Sequence, residues 1–249
     1  LTANLSEIYG AGSVWVVNPF FAVTGNNAVI SNIRFEGNRA NRMAGRVGGV
    51  FPAGVAYGTD NSTSYIEADG TVLVSYLSNV DGFTLYNTSF INTPSHGVAL
   101  LSTNANTLDN AIVAYNKLTD IGDKAIAQWG HGSNLQILYN SINGTGQASG
   151  AASDTNSYGD GIDLHGQTVD SYEIVGNIIT NAGRHGIRAS SNAGGTTIGL
   201  IQGNTINSFG QRNFGGLGVI HDGIQGYSRV RIVDNFIDGG AQSVGSKEG

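Results

Sequence analysis

The feature of this chain that most limits its fold is a cassette that recurs along it. The segments LYNTSFINT, AYNKLTDIG, LYNSINGTG, VGNIITNAG, QGNTINSFG and VDNFIDGG each hold an asparagine followed by a short apolar–polar alternation. Those asparagines are Asn87, Asn116, Asn140, Asn177, Asn204 and Asn235, and FEGNRANRM around Asn38 reads as an earlier copy. They follow β-like runs such as NAIVAY, NLQILY, SYEIV and RVRIV. Asparagine tolerates the left-handed backbone of a sharp bend, and stacked asparagine side chains can hydrogen-bond along a column. A second column follows each cassette: SHGVALLS, DKAIAQWG, GDGIDLHG, GRHGIRAS and HDGIQGYS. Aligned, these give a small residue (Gly97, Ala125, Gly161, Gly186, Gly223) and then an inward aliphatic (Val98, Ile126, Ile162, Ile187, Ile224).

Two or three short strands per ~25-residue repeat, with no helical periodicity between them, predict an all-β, single-stranded parallel β-helix of about 7–9 rungs. A β-sandwich is the alternative, but it has no need of the same cassette in every layer. One domain spans residues 1–249, with protruding loops at about 46–70, 144–159 and 210–218, where the repeat is inflated. The last two lead into the second column and are expected to overhang one face. The 38 glycines and 3 prolines among 249 residues fit a turn-rich fold, and 40% hydrophobic residues argue against disorder. A net charge of −6 excludes nucleic acid as the main partner. No apolar run reaches the ~20 residues of a membrane helix, so no membrane partner is expected. Without cysteine there is neither a disulfide framework nor a thiolate zinc site. The opening LTANLSEIYG carries no initiator methionine and no signal peptide, and reads as the start of a piece cut from a longer chain.

The second column also carries the chemistry. Its outward positions read His96, Lys124, Asp160, His185, Asp222 before the small residue, and Ala99, Ala127, Asp163, Arg188, Gln225 after the aliphatic. Two further on they read Leu101, Trp129, His165, Ser190, Tyr227. The middle layers thus bring Lys124, Asp160, Asp163, His165, His185 and Arg188 within about two strand spacings, flanked by Trp129 and Tyr227. Asp163 and His165 are expected to face solvent while Leu164 points inward, since alternate residues of a strand share a face. Tyr158, at the exit of the 144–159 loop, is expected to approach from the side opposite His165. Stacked opposite charges on an outer sheet face can be mere cross-strand pairs. Charged residues make up only 12% of the chain, however, so this concentration points to a carbohydrate-contacting groove. Weaker motifs are Gly130–Gly132 (GHG), read as a turn, and the Arg34, Arg39, Arg42 and Arg46 run, too short for a nucleic-acid patch. The pairs Asp160/Asp163 and Asp234/Asp238 leave room for a structural calcium but lack a full ligand set by spacing, so no metal site is assigned and no cofactor is required.

At YGDGIDLHGQTVDSYEIVGN the chain resembles the catalytic module of the secreted mannuronan C-5 epimerases, whose active-site strand reads Tyr-Gly-Phe-Asp-Pro-His-Glu-Gln-Thr. Tyr158, Asp163, His165, Gln167 and Thr168 match, with one extra residue between the tyrosine and the aspartate. GRHGIRASS at 183–191 resembles the family's Asp-Arg-His-Gly-Phe segment, and a looser likeness runs from about residue 75 onward. The resemblance implies a right-handed parallel β-helix acting on alginate. It implies Tyr158 and His165 as the acid/base pair, Asp163 as an active-site acid, and Lys124 and Arg184 as neutralisers of the substrate carboxylate. The family's proline is Leu164 here and its glutamate Gly166, and its further acid aligns with Ser190. Its Arg-His-Gly segment also lies one rung farther on.

The residue types suit that chemistry on their own. Removing the C5 proton of a uronate needs a base, a proton donor and a cation that offsets the charge building on the carboxylate. β-Elimination uses the same set, so epimerase and lyase both remain open. The expected partner is an anionic polysaccharide, met outside the cell or at a cell or virion surface, by a monomer. The alternative is a non-catalytic module of a surface fibre or tailspike, which would trimerise or polymerise. A two-carboxylate glycosidase built on Asp160, Asp163 and Asp222 is a third class.

Overall fold

The computed structural model describes residues 8–10, 13–15, 20–37, 64–65, 72–74, 78–93, 95–102, 106–146, 159–164, 168–189, 198–210, 221–226, 229–239 and 247–248. These residues form strands and turns with no helix among them. Three sheets have seven strands each. The one that carries the candidate site, hereafter the site sheet, contains Phe21–Val23, Val72–Val74, Val98–Leu101, Ile126–Trp129, Ile162–Leu164, Ile187–Ala189 and Ile224–Gly226. The second runs from Val29–Ser31 to Arg229–Val233 and the third from Arg34–Glu36 to Phe236–Asp238. The chain visits them in a fixed order, so each repeat adds one neighbouring strand to each sheet. A smaller sheet of four strands (Val80–Asp81, Thr107–Asp109, His131–Ser133, Thr168–Val169) is inserted between the site sheet and the second. Neighbours in all four pair in parallel, for example Ile126↔Ile162 and Ile162↔Ile187. This arrangement is compatible with a parallel β-helix.

The register follows from which side chains must leave water. Val98, Ile126, Ile162 and Ile187 align in one column of the site sheet. Leu100 and Leu164 join them in a continuous core with Leu85, Val113, Ile137, Ile174 and Ile201 of the second sheet. Phe90, Leu118, Ile142, Ile179 and Ile206 of the third complete it. A slip of one residue would exchange these aliphatics for Asp163 and Arg188, which the loss of apolar burial forbids. The small-residue column has its own cause, close approach. A Cβ on Gly161 would lie 2.6 Å from the Gly186 carbonyl oxygen, and one on Gly186 would lie 2.6 Å from that of Gly223.

The asparagine column is present, with one correction. Asn116 Nδ2 donates to Asn140 Oδ1 at 3.0 Å, Asn140 to Asn177 at 3.0 Å, Asn177 to Asn204 at 3.0 Å, and Asn204 to Asn235 at 2.9 Å. Each Oδ1 also accepts the backbone N–H of the preceding asparagine, as from Asn140 to Asn177 at 2.9 Å. Asn87 is not in this ladder. Thr88 occupies the column, its N–H and hydroxyl both donating to Asn116 Oδ1. Asn87 sits one residue earlier, at φ 50°, in the left-handed position shared by Tyr115, Tyr139 and Gly176. Asparagine suits both positions, so residue identity alone aligned the wrong one. The earlier copy turns at Asn32, whose Oδ1 accepts from Asn87 Nδ2, and Asn38 lies outside the described residues.

The GHG segment is a turn only at Gly130 (φ 89°), after which His131–Ser133 is a strand. Gly144–Gly146 keep the repeat's backbone bonds, and residues 147–158 lie outside the described residues. A Cβ on Gly159 would lie 3.0 Å from Gly146 Cα, which fixes the two glycines side by side. Within the 46–70 segment, Ser64–Tyr65 pairs with Ser13–Trp15. Residues 210–218 lie outside the described residues apart from Gly210.

Candidate functional site

Among the described residues the column alignment of the site sheet holds. Gly97 N–H bonds the Lys124 carbonyl, Ala125 that of Asp160, Gly161 that of His185, and Gly186 that of Asp222. His96, Lys124, Asp160, His185 and Asp222 therefore lie in one column, and Ala127, Asp163 and Arg188 align in the next but two. Leu101 aligns with Trp129 at the strand's end.

Their surroundings differ from the expectation. Asp163 was expected in solvent, yet it is fully buried, as are Asp160 (0%) and Lys124 (2%), with Arg184 and His185 at 5% each. Ala99 and Ala127, also outward by register, are buried too, so this part of the sheet face is covered. Burial of charge is tolerable only with partners. Asp160 has them: Arg184 Nε donates to Oδ1 at 2.8 Å and Nη2 to Oδ2 at 2.5 Å, while the His185 N–H adds a third bond at 3.1 Å. Both Asp160 oxygens thus carry hydrogen bonds from the Arg184–His185 segment. No group of three metal-ligating side chains occurs among the described residues.

Asp163 is less well served. Lys124 Nζ lies 3.5 Å from Oδ2 and Arg188 Nη1 4.0 Å from Oδ1, yet neither oxygen has a hydrogen bond among the described residues. Arg188 Nε and Trp129 Nε1 are likewise buried without a partner among the described residues. Lys124 Nζ also stands 4.5 Å from the Trp129 ring centre, and His96 meets that ring edge-on at 5.5 Å. At the far end, His185 Nδ1 accepts the Asp222 N–H at 3.0 Å. The same nitrogen lies 3.4 Å from Asp222 Oδ2, and the lone pair that accepts the N–H cannot at the same time hold a proton for that carboxylate.

Protonation follows from these contacts. Burial alone would raise the Asp160 carboxyl, but the paired Arg184 guanidinium outweighs it and holds Asp160 well below the usual carboxylate range. Burial raises Asp163, and Lys124 only partly offsets it. Burial would lower the Lys124 ammonium, but Asp123, Asp163 and Asp160 outweigh that and raise it, so it stays charged. His96 is held well below its ordinary value by burial and by Lys124.

Asp123 is the residue that column reading missed, because it precedes both outward columns. Its Oδ1 accepts the Gly159 N–H at 3.3 Å, its Oδ2 lies 3.3 Å from His96 Nδ1, and 14% of its side chain reaches solvent. Burial, more than the neighbouring charges, pushes its carboxyl up to about 7. The adjoining DK pair in DKAIAQWG was the available signal. Gln128 was missed as well. It points into the core in register with Leu100 and Leu164, where its Nε2 donates to the Gly130 carbonyl at 3.2 Å. Of the expected site, Lys124, Trp129, Asp160, Asp163, Arg184, His185 and Arg188 come together on one sheet. Tyr158, His165 and Tyr227 lie outside the described residues.

Comparison of the chain with protein-family models, with curated proteins and with solved structures finds no match.

Proposed function

We propose that this chain is a right-handed parallel β-helix that acts on a uronate-containing polysaccharide by removing the proton at C5, as an epimerase or a lyase. The observation that carries this reading is the buried cluster around Asp163, where opposite charges meet without satisfying their hydrogen bonds. A buried group without a hydrogen bond costs about 1–3 kcal/mol. Gln128 Oε1 and Tyr172 Oη carry that cost singly in the core, whereas around Asp163 several such groups meet, as in a site that must receive a charged ligand. Lys124 and Arg188 supply positive charge for the substrate carboxylate, and Trp129 an aromatic wall. Arg184, bound to Asp160, acts by fixing the cluster rather than by meeting substrate. With its burial, Asp163 is a positioning residue for Lys124. Tyr158 and His165 remain the acid/base pair by resemblance to the mannuronan C-5 epimerases. The reading places the protein outside the cell, as a monomer that needs no cofactor, with a structural calcium ion left open.

The test is to incubate the protein with polymannuronate, pectate and glycosaminoglycans in deuterated water, following unsaturated products by ultraviolet absorbance and deuterium at C5. Proton loss from at least one uronate, sharply reduced in Lys124→Met, is the expected result. No signal from any uronate would overturn the reading.

The near-complete burial of Lys124 and Asp163 favours a second reading, a non-catalytic glycan-binding or fibre module. Its solution mass would correspond to a trimer or polymer, whereas the enzymatic reading expects a monomer.

A further inference from the structure

The cluster contains one carboxyl unlike the rest. Asp160 and Asp163 have no exposed surface, and Asp160 is locked to Arg184. Asp222 lies two positions beyond Asp160 in its column, away from Lys124. Asp123 adjoins Lys124, keeps a path to solvent, and among the described residues its carboxyl oxygens meet the Gly159 N–H and His96. The charged and titratable groups around it are His96, Lys124, Asp160, Asp163 and Arg184. Neutral, buried His96 is a poor acceptor for its proton, and Lys124 remains an ammonium. A carboxyl in this setting can hold a proton near neutral pH, give it up, and be reprotonated from water.

We propose that Asp123, in place of the acid of the Tyr158/His165 pair, is the general acid of an elimination, which makes the reaction a lyase cleavage of the uronate chain. This rests on the C5 proton abstraction proposed above. The base removes the C5 proton, and its electron pair forms the C4–C5 double bond. The C4–O bond breaks with its electrons going to the glycosidic oxygen, which takes the proton from Asp123. The Asp123 carboxylate left behind regains a proton from water. No oxidant, metal or second substrate enters the balance. An acid that must be protonated loses rate as pH rises, so the alkaline limb of the rate profile is expected near pH 7, where Asp123 titrates.

The experiment compares wild type, Asp123→Asn and Asp123→Glu on polymannuronate and pectate in deuterated water, with circular dichroism confirming the fold. Asparagine is close to isosteric and can still accept the Gly159 N–H. The expected result is formation of unsaturated ends by wild type, a loss of about 10²–10⁴-fold in Asp123→Asn, and partial recovery in Asp123→Glu with a displaced alkaline limb. Deuterium should still enter C5 in Asp123→Asn, because proton abstraction belongs to other groups. Unsaturated ends formed equally by wild type and Asp123→Asn would overturn the role of Asp123 and leave the uronate reading standing. So would C5 deuterium in wild type without any unsaturated product, which is epimerisation. Neither signal in wild type would overturn both.

Discussion

The molecule stacks polar residues in two places, and the two stacks obey different rules. In the asparagine ladder every amide oxygen from Asn140 to Asn204 accepts two bonds, and each amide nitrogen also reaches a backbone carbonyl, such as Val113 or Ile137, at 2.9 Å. The ladder is buried, neutral and satisfied within itself. In the charged cluster, among the described residues, the Asp160–Arg184 pair reaches that condition, while Asp163, Trp129, Arg188 and His96 keep buried atoms without hydrogen bonds. Both stacks recur at the spacing of neighbouring strands, so periodicity does not account for the difference. A buried polar group left open is a cost that a purely structural column avoids. The ladder is the fold's own device, and the open groups of the cluster are what support reading it as a site.

Substitutions in the two regions should separate them. The largest loss is expected from Asp160→Ala, which removes the bidentate partner of a buried guanidinium and should cost about 3–5 kcal/mol in urea unfolding. Asn177→Ala opens the ladder at its centre, stranding the Asn140 N–H and the Ile137 carbonyl, and should cost about 3 kcal/mol by the same measurement. Equal tolerance of both would mean that neither column is under the stated constraint.

Acid–base linkage gives a smaller signal with a definite sign. Asp160 is depressed in the folded state, so its stabilisation is present above the ordinary carboxylate value and is lost only as pH falls through the lower folded value. Asp123 is raised from 3.8 to about 7, so the folded state binds the extra proton between those values, and stability from this group falls as pH rises across that window. Asp123→Asn should therefore flatten the decline in urea midpoint between pH 4 and 7, whereas Asn177→Ala should shift the whole curve without changing its slope.

The sequence made the columns legible because they rest on side-chain period and volume. Ile126, Ile162 and Ile187 must be inside, Gly161 and Gly186 must be small, and those demands place Asp163 between Ala127 and Arg188. What covers the outward face was not legible. Alternation says which side of a strand a residue leaves from, but not whether water lies there, and so Asp163 and Lys124 were expected exposed. Asn87 misled because a left-handed turn and a ladder position favour the same residue type. Asp123 escaped because its importance comes from His96 and Gly159, contacts that strand register does not encode.

Asp163→Asn should cost the least of these changes in urea unfolding, because it is close to isosteric, burial already disfavours the Asp163 charge, and Lys124 keeps Asp123 and Asp160 as counter-charges. For that reason it offers the most direct test of the claim that the cluster is a site and not scaffold. The measurement is the rate of C5 proton loss from polymannuronate, read as unsaturated ends and C5 deuterium together, for wild type and Asp163→Asn at equal folded fraction. The account predicts measurable proton loss by wild type and a rate about 10²-fold lower in the variant, as Lys124 loses the group that positions it. Equal rates in the two proteins, or no proton loss by wild type, would contradict it.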